Sequence, residues 1–229
     1  MNHLKNAELK DNYIEKCNAS YNNRLARKYN NYIADYNNYF KTIEDFVKKN
    51  PIFSNVHIVQ LDQSAENNYP HTRPDTICIP SNSRFPDLER TLYHEYVHIH
   101  QRRNFNLWKN FLESQGWTPI DESEIPERWA ERVRYNPDTI YSKYWCFDKR
   151  YVPLPLFTNI NSPNMADIKV MYYDLHTGSL EHEMPEAMKR YNNNRQTEHP
   201  FELYAVEMES TIKNDKDILE YMNRWMKSI

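Results

Sequence analysis

Apolar residues near the start of the chain recur in steps of three and four. Ile14, Cys17, Tyr21, Leu25, Tyr29, Tyr32, Tyr36, Phe40, Ile43 and Val47 form one stripe on a helical surface. The spacing predicts one long helix, or two helices in line, over 8–49, with weak points at Asn30-Asn31 and Asn37-Asn38. Asn50-Pro51 ends it, because the residue before proline is pushed out of helical geometry. The stripe suits a helix packed across the domain better than a partner-binding arm. The period then changes. Val56–Leu61 is rich in β-branched residues and predicts a strand, with His57 a half-buried strand residue. Residues 62–74 are polar and hold Pro70 and Pro74, so they predict a loop. Asp75–Pro80 predicts a second short strand, closed by proline.

Helical spacing returns after Pro86-Asp87, which offers an N-cap with Glu89 in the first turn, and nothing breaks the helix before Arg103. Leu107, Trp108, Phe111 and Leu112 mark a helix over 104–115, with Gly116 as its C-cap. An acidic loop follows over Thr118–Ile125. Pro126 starts a short helix over 127–133, and Tyr135–Asp138 is a turn. Tyr141–Phe147 and Tyr151–Phe157 predict a hairpin over Asp148–Arg150, and Ile168–Tyr173 a further strand. Pro185–Tyr191 reads as a short helix. His199-Pro200 opens an apolar helix, and a last helix runs from Asp217 towards Met226.

Composition narrows the class. At 229 residues the chain can bury a sizeable core. Its 29 Lys+Arg against 32 Asp+Glu leave a net charge of -3, so nothing attracts nucleic acid as a whole and no nucleic-acid partner is expected. No stretch is long and apolar enough to span a bilayer, and Met1–Asn6 lacks a signal-peptide core. No membrane association is expected. Cys17, Cys78 and Cys146 are too few and too scattered for a disulfide framework or a cysteine zinc site, so an intracellular, cytoplasmic setting is the simplest expectation.

The candidate chemistry lies in Thr91–Ile99. Here His94-Glu95-Tyr96-Val97-His98 places two histidines at i and i+4, one above the other on a helix face. Two imidazoles can then meet one metal ion, and Glu95 can reach a water beside it without binding the metal. The alternative is a surface helix with two solvated histidines. Leu92, Tyr93, Tyr96, Val97 and Ile99 argue for a buried helix instead.

With Thr91, Leu92, Tyr96, Val97 and Ile99 around that core, the segment resembles the active-site helix of the zincin metallopeptidases; His100 departs from the usual apolar residue. The resemblance implies an α+β, mostly helical zincin-like domain with a small mixed or antiparallel sheet and a long N-terminal helical segment. It divides the chain into that segment, 1–50, and a metallopeptidase domain, 51–229. It also implies that Asp75–Pro80 is the edge strand with which a substrate backbone pairs. Cys78 lacks the surroundings of a peptide-deformylase ligand and reads as core.

A catalytic zinc needs a third protein ligand. Asn104 stands where a metzincin has its third histidine, and for the further histidine of DNA-associated proteases only His100 and the distant His176, His182 and His199 are available, which disfavours that class. The gluzincin arrangement remains, with a Glu from a later helix in a Glu-x-x-Ala segment. Two segments fit: Glu202–Ala205 and Glu127–Ala130. Glu202 has apolar flanks, while Glu127 is followed by Arg128, Glu131 and Arg132, so Glu202 is favoured. The capping-box role for Glu202 and a solvated role for Glu127 stay open. The resemblance therefore implies a Zn2+-dependent metallopeptidase acting on a peptide or protein. His94, His98 and Glu202 would be its ligands, and Glu95 its general base. Tyr141, Tyr144, His176 or His199 could steady the oxyanion. The other readings are a catalytically silent scaffold with the same fold and a zinc hydrolase of a non-peptide amide.

Overall fold

The computed structural model describes residues 2–20, 22, 38–62, 65–81, 87–191 and 196–226. Among the described residues three helices come first: α1 (Asn2–Asp11), α2 (Tyr13–Asn18) and α3 (Asn38–Lys49). A long helix does not form over 8–20. Asn12 takes left-handed geometry (φ 54°, ψ 30°) and breaks it, which asparagine tolerates better than other residues with a Cβ. The stripe positions Tyr21, Leu25, Tyr29, Tyr32 and Tyr36 lie outside the described residues.

The first sheet joins β1 (His57–Leu61), β2 (His71–Arg73) and β3 (Thr76–Pro80) in the order β1-β3-β2. β1 runs parallel to β3, and β2 antiparallel to it. This corrects the expected edge: β3 is the central strand, and β2, inside the expected loop, takes the edge. Three residues are too few to show a period of two.

The second sheet is an antiparallel meander of β4 (Trp117–Pro119), β5 (Trp145–Phe147), β6 (Tyr151–Phe157), β7 (Ile168–Asp174) and β8 (Leu180–Glu181). Between the sheets in sequence lie α4 (Leu88–Arg103) and α5 (Phe105–Ser114), and α6 (Glu127–Ala130) interrupts the second sheet. α7 (Pro200–Met208) and α8 (Asp215–Met226) end the described chain. With sheets of three and five strands the chain is α+β. It is neither the mostly helical zincin-like domain that the resemblance implied nor a chain that opens on the long helix that the spacing predicted. Among the described residues no helix is long and apolar enough to cross a membrane.

α4 is the core helix. Every residue from Leu92 to Gln101 is buried, and α7 packs on it. Leu92, Val97 and Ile99 share one apolar cluster with Phe201, Leu203 and Ala205. Because Ala205 carries only a methyl group, the two helices can approach closely. α1 and α2 pack on the first sheet instead: Leu4, Tyr13 and Cys17 meet Val59, Leu61 and Cys78. The fully buried Arg73 of β2 anchors them. Its guanidinium donates to both Asp11 carboxylate oxygens and to Glu8, each at 2.6 Å.

Candidate metal centre

Asp87 caps α4 by accepting from the Arg90 amide at 3.0 Å, as the sequence predicts. Burial then poses a chemical problem. His94, Glu95, His98, His100 and Gln101 are all buried on this helix, and buried polar groups need partners. His100 is the simplest case. Its Nδ1 accepts from the Trp108 indole at 2.9 Å, so it is a core acceptor, and burial lowers its pKa. That explains its departure from the apolar pattern.

His94 and His98 turn their Nε2 atoms towards each other, 3.1 Å apart. Glu202 Oε2 lies 3.4 Å from the first and 3.3 Å from the second. The three atoms form a nearly equilateral triangle. Metal–donor lengths of about 2.0–2.1 Å with tetrahedral angles put donor atoms about 3.3–3.4 Å apart. The triangle therefore fits one face of a tetrahedral zinc site and leaves the fourth vertex open.

The neighbouring groups set the tautomers. His94 Nδ1 bonds to Glu209 Oε2 at 2.8 Å, and His98 Nδ1 to Gln101 Oε1 at 2.8 Å. Gln101 is itself oriented, because its Nε2 donates to the Phe201 carbonyl at 2.9 Å. Both acceptors place a proton on Nδ1, so in the neutral rings each Nε2 lone pair faces the triangle. Such contacts fix ring orientation and raise ligand basicity. Asn136 Nδ2 holds the other Glu202 oxygen at 2.6 Å, leaving Oε2 for the histidines. Arg90 in turn binds Glu209.

Glu202 is not a capping-box carboxylate. His199 caps α7 instead: its Nδ1 accepts from the Phe201 amide at 3.1 Å, while Nε2 donates to the Ser142 carbonyl at 2.8 Å. Glu127 is exposed on α6. It lines a cavity of about 1050 Å³ with Glu122 and Glu131, apart from the histidines. Of the four candidate donors, His199 is spent as a cap and His176 sits exposed in a turn. Tyr144 belongs to the core of the second sheet. Tyr141 stacks on Phe201, next in sequence to Glu202, and its hydroxyl is buried with no hydrogen-bond partner among the described residues.

Electrostatics matches the geometry. Burial opposes a charge on His94, but hydrogen bonds to Glu202 and Glu209 outweigh it and hold its pKa well above the usual value. His98 follows: burial works against the charge, and the Glu202 and Asp138 carboxylates prevail. Burial likewise opposes ionised Glu202, and the two histidines pull its pKa well below the carboxylate range. A positive charge thus belongs at the centre of the triangle, carried by protons or by a cation. Glu95 is one position from His94 and 4% exposed, and its Oε2 has no hydrogen-bond partner among the described residues. Burial, then the Asp138 charge, raises its pKa to about 8.

Sequence reasoning missed Glu209, Gln101, Asn136 and Asp138. Two had a signal: Glu209 lies seven residues beyond Glu202, and Gln101 three beyond His98, spacings that share a helix face. Asn136 and Asp138 sit in a turn 66 residues from their partners, where no periodicity points to them. No family model, curated protein or solved structure matches the chain.

Proposed function

We propose that the chain is a zinc-dependent metallopeptidase with a His-His-Glu ligand set of the gluzincin kind. The observation that carries this reading is the donor triangle of His94 Nε2, His98 Nε2 and Glu202 Oε2, at 3.1, 3.3 and 3.4 Å, with Glu95, whose Oε2 has no hydrogen-bond partner among the described residues, next in sequence to its first corner. When bound there, zinc would polarise a carbonyl and lower the pKa of a water ligand towards about 7. In that chemistry Glu95 would serve as the base that accepts a proton from water and hands it to the departing amine nitrogen. Glu209, Gln101 and Asn136 keep the three donors oriented. Tyr141, whose buried hydroxyl has no partner among the described residues, is the candidate donor for the oxyanion. The buried, unpaired Cys17, Cys78 and Cys146 support a reducing, cytoplasmic setting.

A second reading is a metal site without catalysis. Its support is burial, since His98 is 0%, Glu202 2% and His94 8% exposed. One experiment separates the two. Elemental analysis of the purified protein should give one zinc per chain, and a mixed peptide library should be cleaved. Protein without stoichiometric zinc overturns the metal reading. Zinc without cleavage favours the silent site.

A further inference from the structure

A second cavity, of about 510 Å³, lies along α4 beyond the donor triangle. Ile99 and Arg102 line it, four and seven residues after Glu95 on the same helix stripe. At 1.5 Å per residue they stand roughly 6 and 10 Å along the axis from that carboxylate. Tyr141 forms another wall. Its ring stacks on Phe201 at 5.6 Å, and the Arg102 guanidinium lies over it at 5.1 Å, so this wall adjoins the helix that carries Glu202.

The lining is basic: Lys10, Lys16, Arg102 and Arg103 face it, with two carboxylates, Asp11 and Asp75. Neither carboxylate is free. Both Asp11 oxygens accept from Arg73 at 2.6 Å, and Asp75 is shared between Lys10 and Arg103, each at 2.9 Å. Lys16 and Arg102 therefore have no carboxylate partner among the described residues. Lys16 donates to the Asp11 backbone carbonyl at 3.1 Å. Arg102 donates to uncharged oxygens: the Thr72 hydroxyl at 3.1 Å, the Pro137 and Asp138 carbonyls at 3.2 Å each, and the Arg73 carbonyl at 3.5 Å. Four cations against two carboxylates, with Lys16 and Arg102 bonded only to uncharged oxygens, leave the lining net positive and suit an anion.

We infer that this cavity is a subsite for a carboxylate on the substrate, two to three residues from the bond that reacts. The distance follows from roughly 6–10 Å at about 3.4 Å per extended residue. The inference rests on the metallopeptidase reading for the position of that bond, but not for the anion site itself. Binding is therefore measured on metal-free protein, by calorimetry, with three peptides. These are acetyl-trialanine amide, acetyl-trialanine with a free C-terminal carboxylate, and acetyl-Ala-Glu-Ala amide.

At least one carboxylate peptide should bind about tenfold or more tightly than the neutral amide. Which one does so separates a chain terminus from an acidic side chain. Arg102→Gln should reduce the preference to within about threefold. Lys16 is exposed, so Lys16→Glu keeps the fold if Arg102→Gln does not, and it should cut the preference by about fivefold. Equal binding of all three peptides overturns the subsite. So does a preference that survives in folded Lys16→Glu protein. Zinc content of the protein as purified, measured before the metal is stripped, is an independent readout. Zinc without anion preference overturns the subsite alone, and anion preference without zinc leaves the subsite and overturns the hydrolase reading.

Discussion

Glu202→Gln is the sharpest perturbation of the site. The change is nearly isosteric and keeps an oxygen able to face the histidines, but it removes the charge that both imidazoles meet at 3.3–3.4 Å. Four-ligand zinc sites bind with about 10–16 kcal/mol, or about 2.5–4 kcal/mol for each ligand. Loss of one ligand should then weaken zinc by about 100- to 1000-fold, at 1.4 kcal/mol for each factor of ten. Asn136 now faces an amide and loses a charge-assisted hydrogen bond, which adds to the loss. Glu127→Gln is the control. That residue is exposed on α6, so its affinity should stay within about threefold of wild type, the range of an exposed charge. Competition against a chromophoric zinc chelator at pH 7.5 reads both variants on one scale. A Glu202→Gln protein that binds zinc within threefold of wild type would refute the ligand assignment. So would a large loss in Glu127→Gln.

Two further outcomes follow from the same contacts. Glu95→Gln should keep full zinc, because Glu95 is not a donor in the triangle, and slow peptide hydrolysis at least about 100-fold; cleavage at the wild-type rate removes Glu95 as the base. Burial lowers the pKa of His199 to about 4, so the native state refuses a proton that the unfolded chain accepts. That contribution is complete above about pH 6.5 and is lost as the pH falls towards 4. His199→Asn, which can still cap α7, should flatten the acid branch of the stability curve by up to about 1.4 kcal/mol per pH unit. Identical slopes in urea titrations from pH 7 to 4.5 would count against a neutral His199.

The sequence made the helix of His94 and His98 and its partner helix legible for a local reason. Histidines at i and i+4 share a face whatever the fold, and the apolar flanks of His94 and Glu202 marked both helices as buried. The strand pair over Asp148–Arg150 was legible too, because aromatic runs bracket a polar turn; β5 and β6 stand there. What failed was non-local or rested on one backbone angle. The stripe of threes and fours runs straight through Asn12, and hydrophobic spacing carries no record of a left-handed residue. Sheet order was hidden for a different reason. β2 is three residues long and polar, and its place at the edge depends on contacts across the fold. Arg73 binds Asp11 and Glu8, and the Thr72 amide donates to Asp138 at 2.6 Å. The implied zincin-like architecture came from one helix, and one helix does not determine the sheets built around it.

The same Thr72–Asp138 contact ties the fold to the site. Thr72 pairs with Ile77 of β3 on one side, and its amide reaches Asp138 on the other. Asp138 continues through its own amide to Asn136 Oδ1 at 3.0 Å, and Asn136 holds Glu202. A buried line of hydrogen bonds therefore runs from the edge of the first sheet to the third corner of the triangle. Beyond Thr72, Arg73 carries it on to α1. Removing one partner of such a line leaves a buried polar group unpaired, which is what makes each link costly to lose. The first sheet and α1 thus hold Glu202 in place without touching it. A cation held at the triangle would rest on the same contacts as these distant elements, so under the proposed reading its binding would be coupled to folding.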